Sequence, residues 1–131
     1  MIRRHHFLRG LAAALALGAA MPAALAQSSK PIRLVVPFPA GGATDLFART
    51  LSQKMGERLG TSVVIDNKPG AGGSLGSDMA AKATADGQTL LFTTTSTHSI
   101  GPAIGAKLPY DTVRDFTPIA HVGNAPSIML V

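Results

Sequence analysis

The residues best suited to chemistry in this 131-residue chain lie in two glycine-rich stretches. Ala40-Gly41-Gly42 recurs as Ala71-Gly72-Gly73, each after a proline (Pro39, Pro69) and each just before a hydroxyl residue, Thr44 or Ser74. A glycine loop that opens a helix exposes several unpaired amide N–H groups, and the helix dipole adds partial positive charge. Each such dipole contribution favours an anion by roughly 0.3–1 kcal/mol. Two such loops side by side can grip a carboxylate with no Arg or Lys. Glycine also serves tight turns and close packing alone, but the repetition favours the anion role. Thr44 and Ser74 read first as N-caps, each worth about 1 kcal/mol, and only second as ligand contacts. Asp45 suits the dipole of a first helical turn but would repel a bound anion. It reads first as an ordinary first-turn carboxylate, with an acceptor for a ligand ammonium or an orienter of loop N–H groups as the functional alternatives. His98 follows the hydroxyl run Thr93 to Thr97 and can donate to a ligand or simply be solvated. His121 falls in an expected strand and reads as packing.

Known signatures fit these segments poorly. In Gly70-Ala71-Gly72-Gly73-Ser74-Leu75, Leu75 stands where a dinucleotide fingerprint needs its third glycine, and no Gly-Lys-Ser or Gly-Lys-Thr forms a phosphate loop. Gly72-Gly73-Ser74-Leu75-Gly76 does satisfy G-x-S-x-G, so a secreted serine hydrolase using Ser74 is the alternative from another function class. That elbow needs its Ser directly after a strand, and here eight residues separate Ile65 from Ser74. Asp111 or Asp115 and His121 then follow too soon to wrap a hydrolase sheet. With no Cys and two His beyond the N-terminal segment, metal ligands are sparse, and neither a metal nor another cofactor is expected.

The elements that must position these loops are three apolar runs, Ile32 to Val36, Val63 to Ile65 and Leu90 to Phe92, spaced by roughly thirty residues as in βα units. None alternates cleanly with polar residues, which predicts a mainly parallel sheet covered on both faces. A first helix is expected from about Thr44 to Leu59, burying Phe47, Leu51, Met55 and Leu59 and stopped by Gly60. A second, from about Ser74 to Ala83, would bury Leu75, Met79 and Ala83 and end before the turn Asp86-Gly87. Thr117 to His121 and Ile128 to Val131 read as further strands. Of the 12 Gly and 8 Pro after residue 26, nine sit in Pro37 to Gly42 and Pro69 to Gly76, so the backbone is shaped at two equivalent places.

The N-terminus reads as an export address. Arg3, Arg4 and Arg9 precede the apolar stretch Leu11 to Ala20, then Pro22, then Ala24-Leu25-Ala26, with small residues where a signal peptidase reads. The stretch is too short to span a bilayer, and the general secretory route is preferred over the twin-arginine route. Removing residues 1–26 leaves 105 of 131 residues and lowers the formal charge from +5 to +2, because the leader holds three of the twelve basic residues and no acid. A nucleic-acid partner loses its support with that charge. The apolar run Ser127 to Val131 reads as a buried strand lacking its neighbours, so the chain is expected to be a fragment, or the product of a broken gene. If Val131 is the terminus, a poorly stable product that does not bind tightly is expected.

Four segments together resemble the tripartite tricarboxylate transporter substrate-binding receptors, the Bug receptors: Pro31 to Asp45, Val64 to Gly73, Ala85 to Leu91, and Leu108-Pro109-Tyr110-Asp111 with Asp115 to Ile119. They occur in order and at matching spacing. The resemblance implies an α/β, periplasmic-binding-protein-like (type II) two-lobed receptor that closes on a small carboxylated ligand. Only most of the first lobe's N-terminal half is present, with residues 27–131 as an incomplete first lobe. It also implies a monomer in the periplasm, no catalytic residue, and delivery to a membrane complex of one large and one small subunit. By position it implies Ala40, Gly41, Gly42, Thr44 and Asp45 as ligand-binding in the first loop. Gly72, Gly73 and Ser74 match the second, and Thr95, Ser96 and His98 the third. Gln88 and Thr112 depart from the family pattern at surface positions.

Overall fold

A computed structural model of the chain describes residues 30–124. The expected leader and the expected strand Ile128 to Val131 lie outside the described residues. Three parallel strands form the sheet, β1 (Ile32–Val36), β2 (Val63–Asn67) and β3 (Thr89–Leu91), in the order β2-β1-β3. Leu34 sits opposite Ile65 on one side and Leu90 on the other. β1 is central because it is the most apolar run, and Leu34, Val35 and Val36 are all buried.

Helix α1 (Ala43–Leu59) joins β1 to β2, and α2 (Ser74–Ala81) joins β2 to β3. The crossover from β1 to β2 and the one from β2 to β3 run in opposite directions across the sheet, so right-handed connections put the two helices on opposite faces. Ala48 of α1 packs with Leu34 and Val36, and Val63, Ile65, Leu90 and Phe92 close around them. Val35 points the other way by strand alternation, toward the side where α2 contacts β1 and β3. Gly60 ends α1 in the left-handed conformation (φ 64°) and returns its N–H to the Gly56 carbonyl, as its position after the last apolar residue predicts.

The helix faces differ from expectation. α1 buries Asp45, Ala48 and Ser52, while Phe47 and Leu59 are each 58 % exposed. Residues four apart drift by about 40° per step, so a stripe of fours wanders off any one face over three steps. Only its middle members, Leu51 and Met55, stay half-buried. α2 likewise buries Gly76 and Ser77 and leaves Leu75 and Met79 exposed. Small residues let both helices approach the sheet closely. α2 also ends at Ala81, two residues before the expected Ala83. Thr117 to His121 is irregular and exposed, so neither the expected strand nor a packing role for His121 is found.

Candidate functional site

Strand order β2-β1-β3 places the chain reversal beside the carboxyl end of β1, where open α/β sheets leave a crevice for ligands. Three loops leave the strands at that edge, residues 37–42, 68–73 and 92–98, the last turning helical at Ser96–Ile100 where a polar loop was expected. One shared contact ties them together. A Cβ on Gly73 would fall 2.7 Å from Thr97 Cγ2 and 3.3 Å from Phe38 Cζ, so the second loop touches both the first and the third.

In the first loop, Gly41 takes φ +83° with open space around it, and Gly42 in extended conformation is the N-cap of α1. Thr44 is thus one residue inside the helix and makes no capping bond, which corrects the cap expected from sequence. Ala40, Gly41 and Gly42 are exposed and Thr44 is half-buried. As first-turn residues, Ala43 and Thr44 have N–H groups with no carbonyl of their own helix to meet. Asp45 does not face outward: it is 2 % exposed. Its Oδ2 accepts from the Gly41 N–H (2.8 Å) and from Arg49 Nε (2.8 Å), and its Oδ1 accepts from Asn67 Nδ2 (3.0 Å). Those bonds, Arg49 first, then Gly41 and Asn67, hold its carboxyl down at about 2. Of the roles open to Asp45, the structure places it as the orienter.

The second loop is shaped by its backbone. Gly70, Ala71, Gly72 and Gly73 all have positive φ, from +47° at Ala71 to +141° at Gly70. For Ala71 this conformation costs about 1 kcal/mol. Gly73 is buried and is the N-cap of α2, so Ser74 is the first helical residue and makes no capping bond, a second correction. Its hydroxyl donates to the Ala71 carbonyl at 2.8 Å. Gly76 interlocks two loops with α2, because a Cβ there would lie 2.7 Å from the Lys68 carbonyl oxygen and 2.8 Å from Pro37 Cβ.

In the third loop Thr95 and Ser96 are exposed, and Ser96 Oγ lies 2.6 Å from Thr94 Oγ1. His98 is turned away from them. Its Nδ1 is 2.9 Å from Thr97 Oγ1, and its ring stacks on Tyr110 and meets Phe116 edge-on. Burial pushes its pKa down, and its Nε2 is buried without a hydrogen-bond partner. Buried Tyr110 donates its hydroxyl to the Thr97 carbonyl (3.2 Å), so the segment after the third loop props that loop from behind.

Sequence reasoning missed Asn67, Arg49, Phe38, Thr97, Tyr110 and Phe116 as supports. Arg49 carried a signal, since it stands four residues after Asp45 on one helix. The remainder depend on contacts between distant segments. No His or carboxylate among the described residues hydrogen-bonds Ser74 Oγ, so the structure does not assemble a nucleophile and base around it. No group of three His, Cys, Asp or Glu able to hold a metal occurs among the described residues, and no described helix is long and apolar enough to cross a membrane.

A family profile described as Tripartite tricarboxylate transporter family receptor matches residues 47–131. A UPF0065 protein of Pseudomonas sp. (strain P51) is 41% identical over 131 residues, covering 99% of this chain and 39% of that protein. Protein BugT of Bordetella pertussis is 40% identical over 103 residues, covering 78% of this chain and 32% of BugT. Among solved structures, MatC from Rhodopseudomonas palustris with bound malate superposes at TM-score 0.64 with 41% identity, over 67% of this chain and 30% of MatC. A second R. palustris protein, with adipate, gives TM-score 0.51 and 40% identity over 53% of this chain and 23% of that one. The chain spans between about a third and two-fifths of the length of these curated relatives.

Proposed function

The chain belongs to the tripartite tricarboxylate transporter receptor family, and on that premise we propose that it is part of a periplasmic receptor capturing a small carboxylated ligand. Residues 1–26 are then an export leader, and residues 27–131 belong to the first lobe. The ligand is passed to membrane subunits of a tripartite transporter. One observation carries the reading. Two glycine-rich turns that open helices meet at the carboxyl edge of a parallel sheet, while the nearby acid, Asp45, is buried and paired with Arg49. The exposed backbone of Ala40, Gly41, Gly42 and Gly72 and the exposed residues Thr95 and Ser96 line this edge, a surface suited to a carboxylate. Malate in MatC and adipate in its R. palustris counterpart support a dicarboxylate or a similar small acid.

Ligand-observed saturation-transfer NMR on the full chain, which senses millimolar binding, tests the proposal. Malate and adipate are expected to give signal and their uncharged diamides none. Equal signal from acids and diamides, or none from either, would count against it.

A further inference from the structure

We infer that Asp45 and Asn67 are positioning residues: they clamp the first glycine loop from behind and touch no ligand, an inference that rests on the proposed carboxylate site for its functional meaning. Asn67 is the last residue of β2 and pairs with Val36 at the end of β1. From there its Nδ2 lies within hydrogen-bond distance of two acceptors, the Phe38 carbonyl oxygen (3.1 Å) and Asp45 Oδ1 (3.0 Å). Its Oδ1 accepts from Arg49 Nη2 at 3.4 Å. Asp45 in turn holds the Gly41 N–H. The loop is thus pinned at both ends, through a carbonyl at Phe38 and an amide at Gly41.

The charge arrangement explains how an acid is tolerated there. An uncompensated carboxylate behind an anion site would oppose the ligand, and Arg49 removes that opposition by pairing with Asp45 Oδ2 at 2.8 Å. Because the Gly41 N–H is already used, the donors left for a ligand are those of Gly42, Ala43 and Thr44. Gly41 is accordingly a conformational residue, with φ +83° and no atom near its would-be Cβ. Holding these donors in place before the ligand arrives avoids the ordering cost at binding.

Three variants of the full chain test the clamp: Asp45→Ala, Asp45→Asn and Asn67→Leu. Two readouts apply to each: hydrogen exchange of the Gly41 amide without ligand, and malate affinity from amide shifts. Asp45→Ala is expected to speed Gly41 exchange and weaken malate binding by about tenfold each, as for loss of a charged hydrogen-bond acceptor. Asp45→Asn keeps an acceptor oxygen for Gly41 but turns its own NH2 toward the Asn67 NH2 and loses the charge paired with Arg49, so it should fall between the parent and Asp45→Ala on both readouts. Asn67→Leu fills the same space without donors and should shift both readouts in the same direction as Asp45→Ala, by less. If Asp45→Ala does not fold, Asn67→Leu decides the matter alone. Unchanged Gly41 exchange in Asp45→Ala and Asn67→Leu would overturn the clamp. A parent chain that ignores malate would count against the carboxylate reading only, since Gly41 exchange is measured without ligand.

Discussion

The tripeptide Ala-Gly-Gly appears twice at the same edge of the sheet, and the two copies are held by different means. In the first loop the backbone is mostly ordinary, and side chains fix it: Asp45 from α1 and Asn67 from β2 reach its backbone, and Arg49 braces both. In the second loop few side chains help. A run of four positive φ angles sets its path, and close packing at Gly73 and Gly76 locks it against Thr97, Phe38, Pro37 and Lys68. The middle glycines, Gly41 and Gly72, are equivalent, each with positive φ and open space. The third glycines are not, because Gly42 has room and ordinary φ while Gly73 has neither. A repeat in sequence thus marks equivalent topological places without fixing equivalent physics.

Substitutions can break that contrast, beginning with the largest expected effect. Gly76→Ala sets a methyl against backbone at Lys68 and Pro37, neither of which can swing aside, and should cost about 3 kcal/mol in urea unfolding. A midpoint unchanged from the parent would remove packing as the lock on the second loop. Gly73→Ala combines a 2.7 Å approach to Thr97 with φ +97° and should cost about 2 kcal/mol, whereas Gly42→Ala should cost less than about 1 kcal/mol. Similar losses for the two would erase the asymmetry between the third glycines. Gly41→Ala and Gly72→Ala should each cost about 1 kcal/mol, since only the conformation is at stake.

Acid separates the loops more gently. His98 stays neutral more readily when folded, so below its unfolded value of 6.5 the unfolded chain takes up the proton first. Stability present above pH 6.5 should therefore decline as the pH falls below it, with exchange near Thr97 and Tyr110 rising, and His98→Gln should flatten the decline. Asp45 is held the opposite way in pH terms. Its contribution is full above 3.8 and is lost only as the pH falls toward about 2. Between pH 7 and 5 the third loop should loosen while Gly41 stays protected, and amide exchange at the two pH values, corrected for its intrinsic rate, reads both.

The three strands were legible because uninterrupted apolar runs bounded by turn residues leave few other readings, and Gly60 sits where a left-handed stop is needed. The helix faces were not. Phe47, Leu51, Met55 and Leu59 advertise a stripe, but close contact with the sheet selects small side chains, and Ala48, Ser52, Gly76 and Ser77 carry little apolar signal. Thr44 and Ser74 look like caps because hydroxyls favour that position. The glycines before them, able to take extended or left-handed backbone, occupy it instead. Asn67 could not be found locally, since its role depends on the pairing that sets it opposite Val36 and beneath the loop after β1. The family resemblance located the loops as a group without distinguishing residues that face solvent from Asp45 and His98, which face inward.

The most direct measurement is protein-observed NMR of the full chain titrated with malate and, separately, with its diamide. Shifts concentrated at the amides of Gly42, Ala43, Thr44 and Gly72 with malate, and absent with the diamide, are the predicted result. Shifts confined to lysine-bearing surfaces, or the same pattern from both compounds, would contradict a carboxylate site built from these two loops.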